Sequence, residues 1–104
     1  MRILKAPQSY QEEIRKSRFL AQAVLLPSAE QATELIAQLS TPSASHNCWA
    51  WRCAQQQRFS DDGEPGGTAG RPILAAIESQ AFDQVLIVVT RWYGGIQLGT
   101  GGLA

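Results

Sequence analysis

The residues most able to do chemistry lie in or beside two glycine-rich stretches, residues 60–72 and 90–104, which hold all nine glycines of the chain. In the first stretch, Asp61, Asp62 and Glu64 form an acidic loop. Carboxylates suit a hard cation such as Mg²⁺, but Asp residues also form ordinary turns by accepting hydrogen bonds from their own backbone. The loop lacks the alternation of an EF-hand, so we favour the turn and predict neither a metal site nor a cofactor.

The second stretch resembles a nucleotide motif only in part. Gly99 and Gly101 have the G-x-G-x-x-A spacing of dinucleotide sites, but that motif should directly follow a strand. No lysine follows these glycines, which excludes a P-loop. Free N–H groups here could bind a phosphate with help from Arg71 and Arg91, or the glycines could let a loop pack closely on the sheet. Both interpretations stay open.

His46 and Cys48 are two residues apart, on one face of the predicted strand 46–53. The chain has a single His, so a zinc site would need unfavourably placed ligands. Neighbouring side chains at this spacing, with no third orienting group, also make a poor nucleophile and base. We predict instead that His46 bonds to a loop carboxylate such as Asp61. Trp92 is expected to pack, and Tyr93 is open to packing or to stacking on a base.

Hydrophobic spacing predicts the elements that must position these residues. We expect a polar edge strand over 8–15, a strand over 18–26, a helix from Ser28 to Ser40 with a Ser28/Gln31 capping box, strands over 46–53 and 58–60, a helix capped by Thr68 with Pro72 in its first turn, and a strand over 84–90. Because the run 85–89 is continuously apolar, this last strand should be central and covered on both faces. The order predicts an α+β fold with helices on one face of a mixed sheet.

Composition sets further bounds. The 104 residues are 44% hydrophobic and 17% charged, which is typical of one globular domain. The formal net charge is zero, so bulk charge gives no reason to expect nucleic acid, although Arg15, Lys16 and Arg18 make the first 18 residues basic. Two cysteines do not make a disulfide framework, and no apolar run suggests a membrane helix or signal peptide. We therefore expect a cytoplasmic protein.

Three long motifs together resemble the N-terminal domain of the YigZ/IMPACT family. They are residues 46–52 (HNCWAWR), residues 60–74 (SDDGEPGGTAGRPIL) and residues 88–103 (VVTRWYGGIQLGTGGL), preceded by Ser17-Arg18-Phe19. The resemblance implies the fold called ribosomal protein S five domain two-like, with helices on one face of the sheet and a left-handed βαβ crossover. It also implies a role associated with translation.

The resemblance leads to an expected function and an expected surface. We expect residues 1–104 to be a single domain that ends before the family's last helix and lacks its C-terminal ferredoxin-like domain, which would favour homo-oligomers. The expected function is non-enzymatic binding of RNA, the ribosome or a protein partner, and the alternative is a phosphate- or nucleotide-binding enzyme. The expected contact residues are His46, Arg52, Asp61, Asp62, Glu64, Thr68, Arg71, Arg91, Tyr93, Gly94, Gly95, Gly99, Thr100 and Gly101, with Arg15, Lys16 and Arg18 as auxiliary cations.

Overall fold

A computed structural model describes residues 2–93 of the chain. The elements are β1 (Gln8–Ile14), β2 (Ser17–Leu25), a 3₁₀ turn (Ala29–Gln31), α1 (Ala32–Leu39), β3 (His46–Cys53), β4 (Gln56–Ser60), α2 (Gly70–Ser79) and β5 (Val85–Trp92). The α+β class is confirmed. None of the helices in this part of the chain is long and apolar enough to cross a bilayer.

The five strands form one sheet in the order β1-β2-β5-β3-β4. All four neighbouring strand pairs are antiparallel, and a parallel bridge joins Arg2 to Phe82. Since β2 and β3 flank β5, they run parallel to each other, and the chain between them crosses over through α1. The strand that comes last in the described sequence is therefore the centre of the sheet.

β5 is central because both of its faces are apolar. Leu86 and Val88 are fully buried in a cluster with α1 on one face. Val85 and Ile87 pack with Leu74 and Ile77 of α2 on the other. The two helices therefore lie on opposite faces of the sheet, and the expectation of helices on one face was wrong on this point. A run that is apolar on every residue needs cover on both sides, which a single helical layer cannot give.

The sheet edges and helix starts also test the sequence predictions. β1 is an edge strand, as predicted, and all seven of its residues are exposed. The predicted capping box at Ser28 is wrong, because the Ser28 side chain makes no capping hydrogen bond. The segment begins with a 3₁₀ turn after Ser28, and Gln31 is itself the N-cap residue of α1.

Candidate functional site

The acidic loop lies against the sheet where β3 begins and β5 ends. β3 and β5 are paired with His46 opposite Arg91, and the loop that follows β4 folds back over these two residues. The arrangement brings His46, Asp61, Asp62, Glu64, Arg91 and Tyr93 together. Six of the predicted contact residues therefore share one site.

The Asp61 side chain caps the N-terminus of α2. Its carboxylate accepts hydrogen bonds from the backbone N–H groups of Gly67 (2.9 Å), Ala69 (3.0 Å) and Gly70 (2.7 Å). These N–H groups, led by Gly67 and Gly70, hold the pKa of Asp61 below its usual value. Thr68, the predicted cap, instead donates its hydroxyl to the Pro65 carbonyl. The cap was wrongly placed because Asp61 reaches α2 from nine residues before it.

Asp62 ties the loop to the first residues of β3. Its carboxylate accepts from the Asn47 N–H (2.6 Å) and its carbonyl accepts from His46 Nδ1 (2.6 Å). Because a carbonyl can only accept, Nδ1 carries the proton, and Nε2 is left facing the Tyr93 hydroxyl (3.2 Å) and Glu64 (3.9 Å). His46 was predicted to bond to a loop carboxylate such as Asp61. Its hydrogen bond goes instead to the Asp62 backbone carbonyl, and Glu64 is the loop carboxylate that lies near its ring.

Gly63 permits this close packing. Its φ of +90° suits glycine, and a Cβ there would lie 3.2 Å from the His46 ring. Any larger residue would press the loop away from His46.

Glu64 and Arg91 form the central ion pair. Arg91 Nη1 lies 3.2 and 3.1 Å from the two Glu64 carboxylate oxygens, and the Glu64 side chain is only 9% exposed. The other edge of the guanidinium donates to the Ser17 hydroxyl at 3.4 Å. The Tyr93 and Phe19 rings lie 4.3 and 5.3 Å from Arg91 Cζ. Arg91 is thus held on several sides by groups of its own chain.

A pocket of about 400 Å³ opens beside this ion pair, between the sheet and α2. Its walls are mostly apolar, and Glu64 and Arg91 supply its charge. We call it the Glu64 pocket; its lining residues are Phe19, Cys48, Glu64, Pro65, Thr68, Ala69, Ile73, Val89 and Arg91. A volume of this size suits a small ligand or one large side chain.

Cys48 lines the pocket but is a poor nucleophile. Its thiol donates to the Asp61 carbonyl at 3.1 Å. Burial, followed by the charges of Glu64, Asp62 and Asp61, raises the pKa of Cys48 to about 11, although Arg91 opposes the shift. The thiol is therefore protonated at neutral pH, and covalent catalysis, which needs the thiolate, gains no support.

Two predicted residues lie elsewhere. Arg52 is on the same face of β3 as His46 but at the far end of the strand, where it faces Glu78 and Asp83 at 3.8 Å. Arg71 lies over the Phe59 ring, 5.1 Å from its centroid. The predicted contact residues Gly94, Gly95, Gly99, Thr100 and Gly101 lie outside the described residues.

The start of α2 does not offer an open anion site. The N–H groups of Ala69 and Gly70 already point at the Asp61 carboxylate, and Pro72 has no N–H to offer. A phosphate would have to displace a carboxylate of the same chain. This internal anion weakens the nucleotide-binding interpretation of the first glycine-rich stretch.

Several contributors to the site were not among the expected contact residues, including Ser17, Phe19 and Ile73. Ser17 and Phe19 belong to the Ser17-Arg18-Phe19 motif, which was noted only for its resemblance. Both residues contact Arg91, because β2 and β5 pair with Phe19 opposite Arg91. Strand alternation alone could not reveal this pairing, because β2 and β5 are more than 60 residues apart.

Comparison with known proteins places this geometry in a family. A family model described as the Impact N-terminal domain matches residues 15–104. IMPACT family member YigZ of Escherichia coli is 44% identical over 105 residues, which cover 94% of this chain and 52% of that protein. The chain spans about half the length of three curated bacterial relatives that it matches.

Two solved structures have the same fold. One, described only as a hypothetical protein, has a TM-score of 0.85 and 44% identity, with 97% of this chain and 52% of that chain covered. The other is the two-domain translational regulator Yih1, with a TM-score of 0.60 and 31% identity, over 86% of this chain and 36% of that one.

Proposed function

Because this chain belongs to the IMPACT family, we propose that it is a non-enzymatic binding domain that acts in translational regulation through a protein partner. Yih1 is described as a translational regulator, and that role supports the translational part of the proposal. The choice of a protein partner depends on one observation, an uncovered apolar area on the sheet.

The uncovered area lies on the α2 face, over β1 and β2. α2 packs on β3 and β4, and within residues 2–93 no helix lies over β1. Tyr10 and Ile14 point to this face and are 63% and 48% exposed. Tyr10 is paired with Ala21, and Phe19 continues the same face of β2. Glu12 lies between Tyr10 and Ile14 on the same face, and exposed apolar side chains beside polar residues are typical of protein contact sites.

The charges favour a protein over RNA. Each arginine that we expected in the site has a carboxylate close by: Arg91 pairs with Glu64, Arg52 faces Glu78 and Asp83, and Arg71 lies near enough to Asp61 to lower its pKa. Phosphate contacts need cations whose charge is available. The arginines of the site are therefore poorly placed to bind a nucleic-acid backbone.

Site-specific photocrosslinking tests the proposal. A benzophenone amino acid replaces Tyr10, and the chain is expressed in the cells of its own source. We expect crosslinks to a protein of the translation machinery. Ile14→Ser should weaken them severalfold by removing apolar contact area. The matched control is Leu25→Ser, which also shortens an exposed aliphatic side chain (42%) but lies at the other end of β2 from Ile14, next to Leu35 and Gln38.

The crosslinking result can contradict the proposal in two ways. Crosslinks to RNA would refute the protein partner. Crosslinks that persist equally in Ile14→Ser and Leu25→Ser would show that the uncovered area is not the contact surface.

A second candidate, RNA binding, is favoured by one observation away from the pocket. Arg18 lies over the Trp92 ring, with Cζ 4.7 Å from the ring centroid, and Arg15 and Lys16 form the adjacent turn between β1 and β2. Cations beside an accessible aromatic ring can bind a single strand, and the Trp92 ring is half-buried. Filter binding to single-stranded and double-stranded RNA across a salt series tests it, since phosphate contacts weaken steeply as salt rises.

A further inference from the structure

We propose that the Glu64 pocket receives a primary ammonium group on an apolar stem, the chemistry of a lysine side chain, presented by the protein partner. The inference deepens the proposed function and rests on it. It is carried by the shape of the pocket, by the unused acceptor sites of Glu64 and by the sign of the surrounding charge.

The shape fits a long side chain with an apolar stem. Phe19, Ile73 and Val89 line the pocket, and Glu64 lies among the same lining residues. Lysine buries its methylene stem along apolar surface while its ammonium group seeks a polar partner. The Phe19 ring adds a face to which a cation is attracted. The pocket therefore offers separate places for the stem and for the charge.

Glu64 has acceptor sites left for the ammonium group. Arg91 Nη1 makes one contact to each carboxylate oxygen, and an ionised carboxylate has about four lone-pair sites. One site on each oxygen therefore remains. The Glu64 side chain is only 9% exposed, so water competes weakly for these sites and a second charged hydrogen bond is favoured.

The sign of the local charge selects a cation. The carboxylates of Asp61 and Asp62 accept hydrogen bonds from backbone N–H groups. These donors carry no net charge, so they do not neutralise the two carboxylates. Three carboxylates thus lie in the pocket wall or close to it against two guanidinium groups, those of Arg91 and Arg71, so the local charge balance is negative. The same three carboxylates also raise the pKa of Cys48, after burial, although Arg91 opposes them, which agrees with an excess of negative charge at the pocket wall. An anion would meet repulsion from Glu64, and Arg91 already donates to Glu64 and Ser17.

A metal ion is a poorer occupant than an ammonium group. Among the described residues no group of three or more His, Cys, Asp or Glu side chains is placed to hold a metal. Glu64 is the single carboxylate among the pocket's lining residues, whereas Mg²⁺ and Ca²⁺ need several oxygen ligands. The apolar walls suit a stem and not a hydration shell.

The test uses the 104-residue chain, labelled with ¹⁵N, and three matched probes. They are N-acetyl-lysine methylamide, the norleucine analogue, which has a similar apolar stem without the ammonium group, and the 2-aminoadipate analogue, which carries a carboxylate. We expect saturable shifts of the Phe19, Cys48, Ile73 and Val89 amides with the lysine probe. It should bind about tenfold tighter than norleucine, which corresponds to about 1.4 kcal/mol.

Variants identify the group that holds the ammonium. Glu64→Gln should weaken the lysine probe about tenfold to the level of norleucine. Glu13→Gln removes an exposed glutamate of β1 that is paired with Arg18 and points to the opposite face of the sheet from Phe19, and should leave binding unchanged. Glu64→Gln could fail to fold because Arg91 loses its partner. In that case the relative affinities of the three probes for the unaltered chain test whether the pocket selects an ammonium group.

The outcomes separate this inference from the proposed function. Norleucine or 2-aminoadipate binding as tightly as lysine, no saturable shift, or shifts confined to residues away from the pocket would each overturn it. Lysine binding without any crosslinked protein at position 10 would support the pocket and refute the proposed surface. Crosslinks without lysine binding would do the reverse.

Discussion

Gly70→Ala tests how closely α2 abuts β4. A Cβ at position 70 would lie 2.6 Å from the Ser60 carbonyl oxygen and 2.8 Å from the Ser60 C and N atoms, where ordinary contact begins at 3.4 Å. All three atoms are backbone, so no side chain can turn aside. The start of α2 would have to move away from β4 by nearly 1 Å, and Ala69 and Ile73 of the Glu64 pocket would move with it.

Two opposing terms decide the size of the effect. Alanine gains about 1 kcal/mol over glycine in a helix interior, and less in its first turn. Overpacking costs about 1–3 kcal/mol, and the upper part of that range applies because backbone atoms are involved. We expect a net destabilisation of about 1–2 kcal/mol, which for a chain of this size lowers Tm by about 4–16 °C. The lysine probe should also bind more weakly.

Urea unfolding followed by tryptophan fluorescence measures this effect, and the same loop supplies its controls. Gly66→Ala meets no atom within 4 Å and should change stability by less than about 0.5 kcal/mol. Gly67→Ala also has open space, but its φ is +79°, so backbone strain of about 1–2 kcal/mol is expected. A Gly70→Ala variant as stable as the unaltered chain would refute the close contact between α2 and β4.

Three further predictions follow from the site and the core. The pKa of Asp61 is lowered on folding, so its stabilising effect is present above the usual Asp pKa of about 3.9 and is lost as pH falls through the folded value. When the urea midpoint is measured against pH, Asp61→Asn should therefore reduce the fall of the midpoint on the acid side. A fall as steep as in the unaltered chain would contradict the assignment. Cys48 should be alkylated slowly at pH 8 and faster towards pH 11, because its pKa is about 11. Peptide mapping by mass spectrometry measures the alkylation rate of Cys48. A rate equal to that of an exposed thiol would contradict the raised pKa. Leu86→Ala should cost about 2–5 kcal/mol, since Leu86 is fully buried; a calorimetric loss below about 1 kcal/mol would show that the centre of the sheet is poorly packed.

The strands could be predicted from the sequence better than their relative positions. Residues 46–53 were predicted as a strand and form β3 with the same bounds, because alternation is a local property of the chain. Arg52 lies on the same face as His46, as alternation requires. Alternation gives no distance along the strand, and the five intervening residues place Arg52 near Asp83 and away from the acidic loop.

The site depended on contacts that local patterns do not encode. Asp61 lies nine residues before Gly70, so a search for capping residues immediately before a helix selects Thr68. The prediction that both helices lie on one face of the sheet came from element order and from the resemblance. The apolar run 85–89 was the better guide, since it already required cover on both faces. The motif resemblance drew attention to the acidic loop but could not say which carboxylate binds which partner.

The position of β5 has a consequence for how the chain folds. The pairs β1–β2 and β3–β4 join neighbours in sequence and can form early as local hairpins. They share no pairing with each other, because β5 lies between them and pairs with both. During synthesis the sheet therefore cannot close until residues 85–92 have emerged from the ribosome. Until then the apolar inner edges of both hairpins remain open to misassociation.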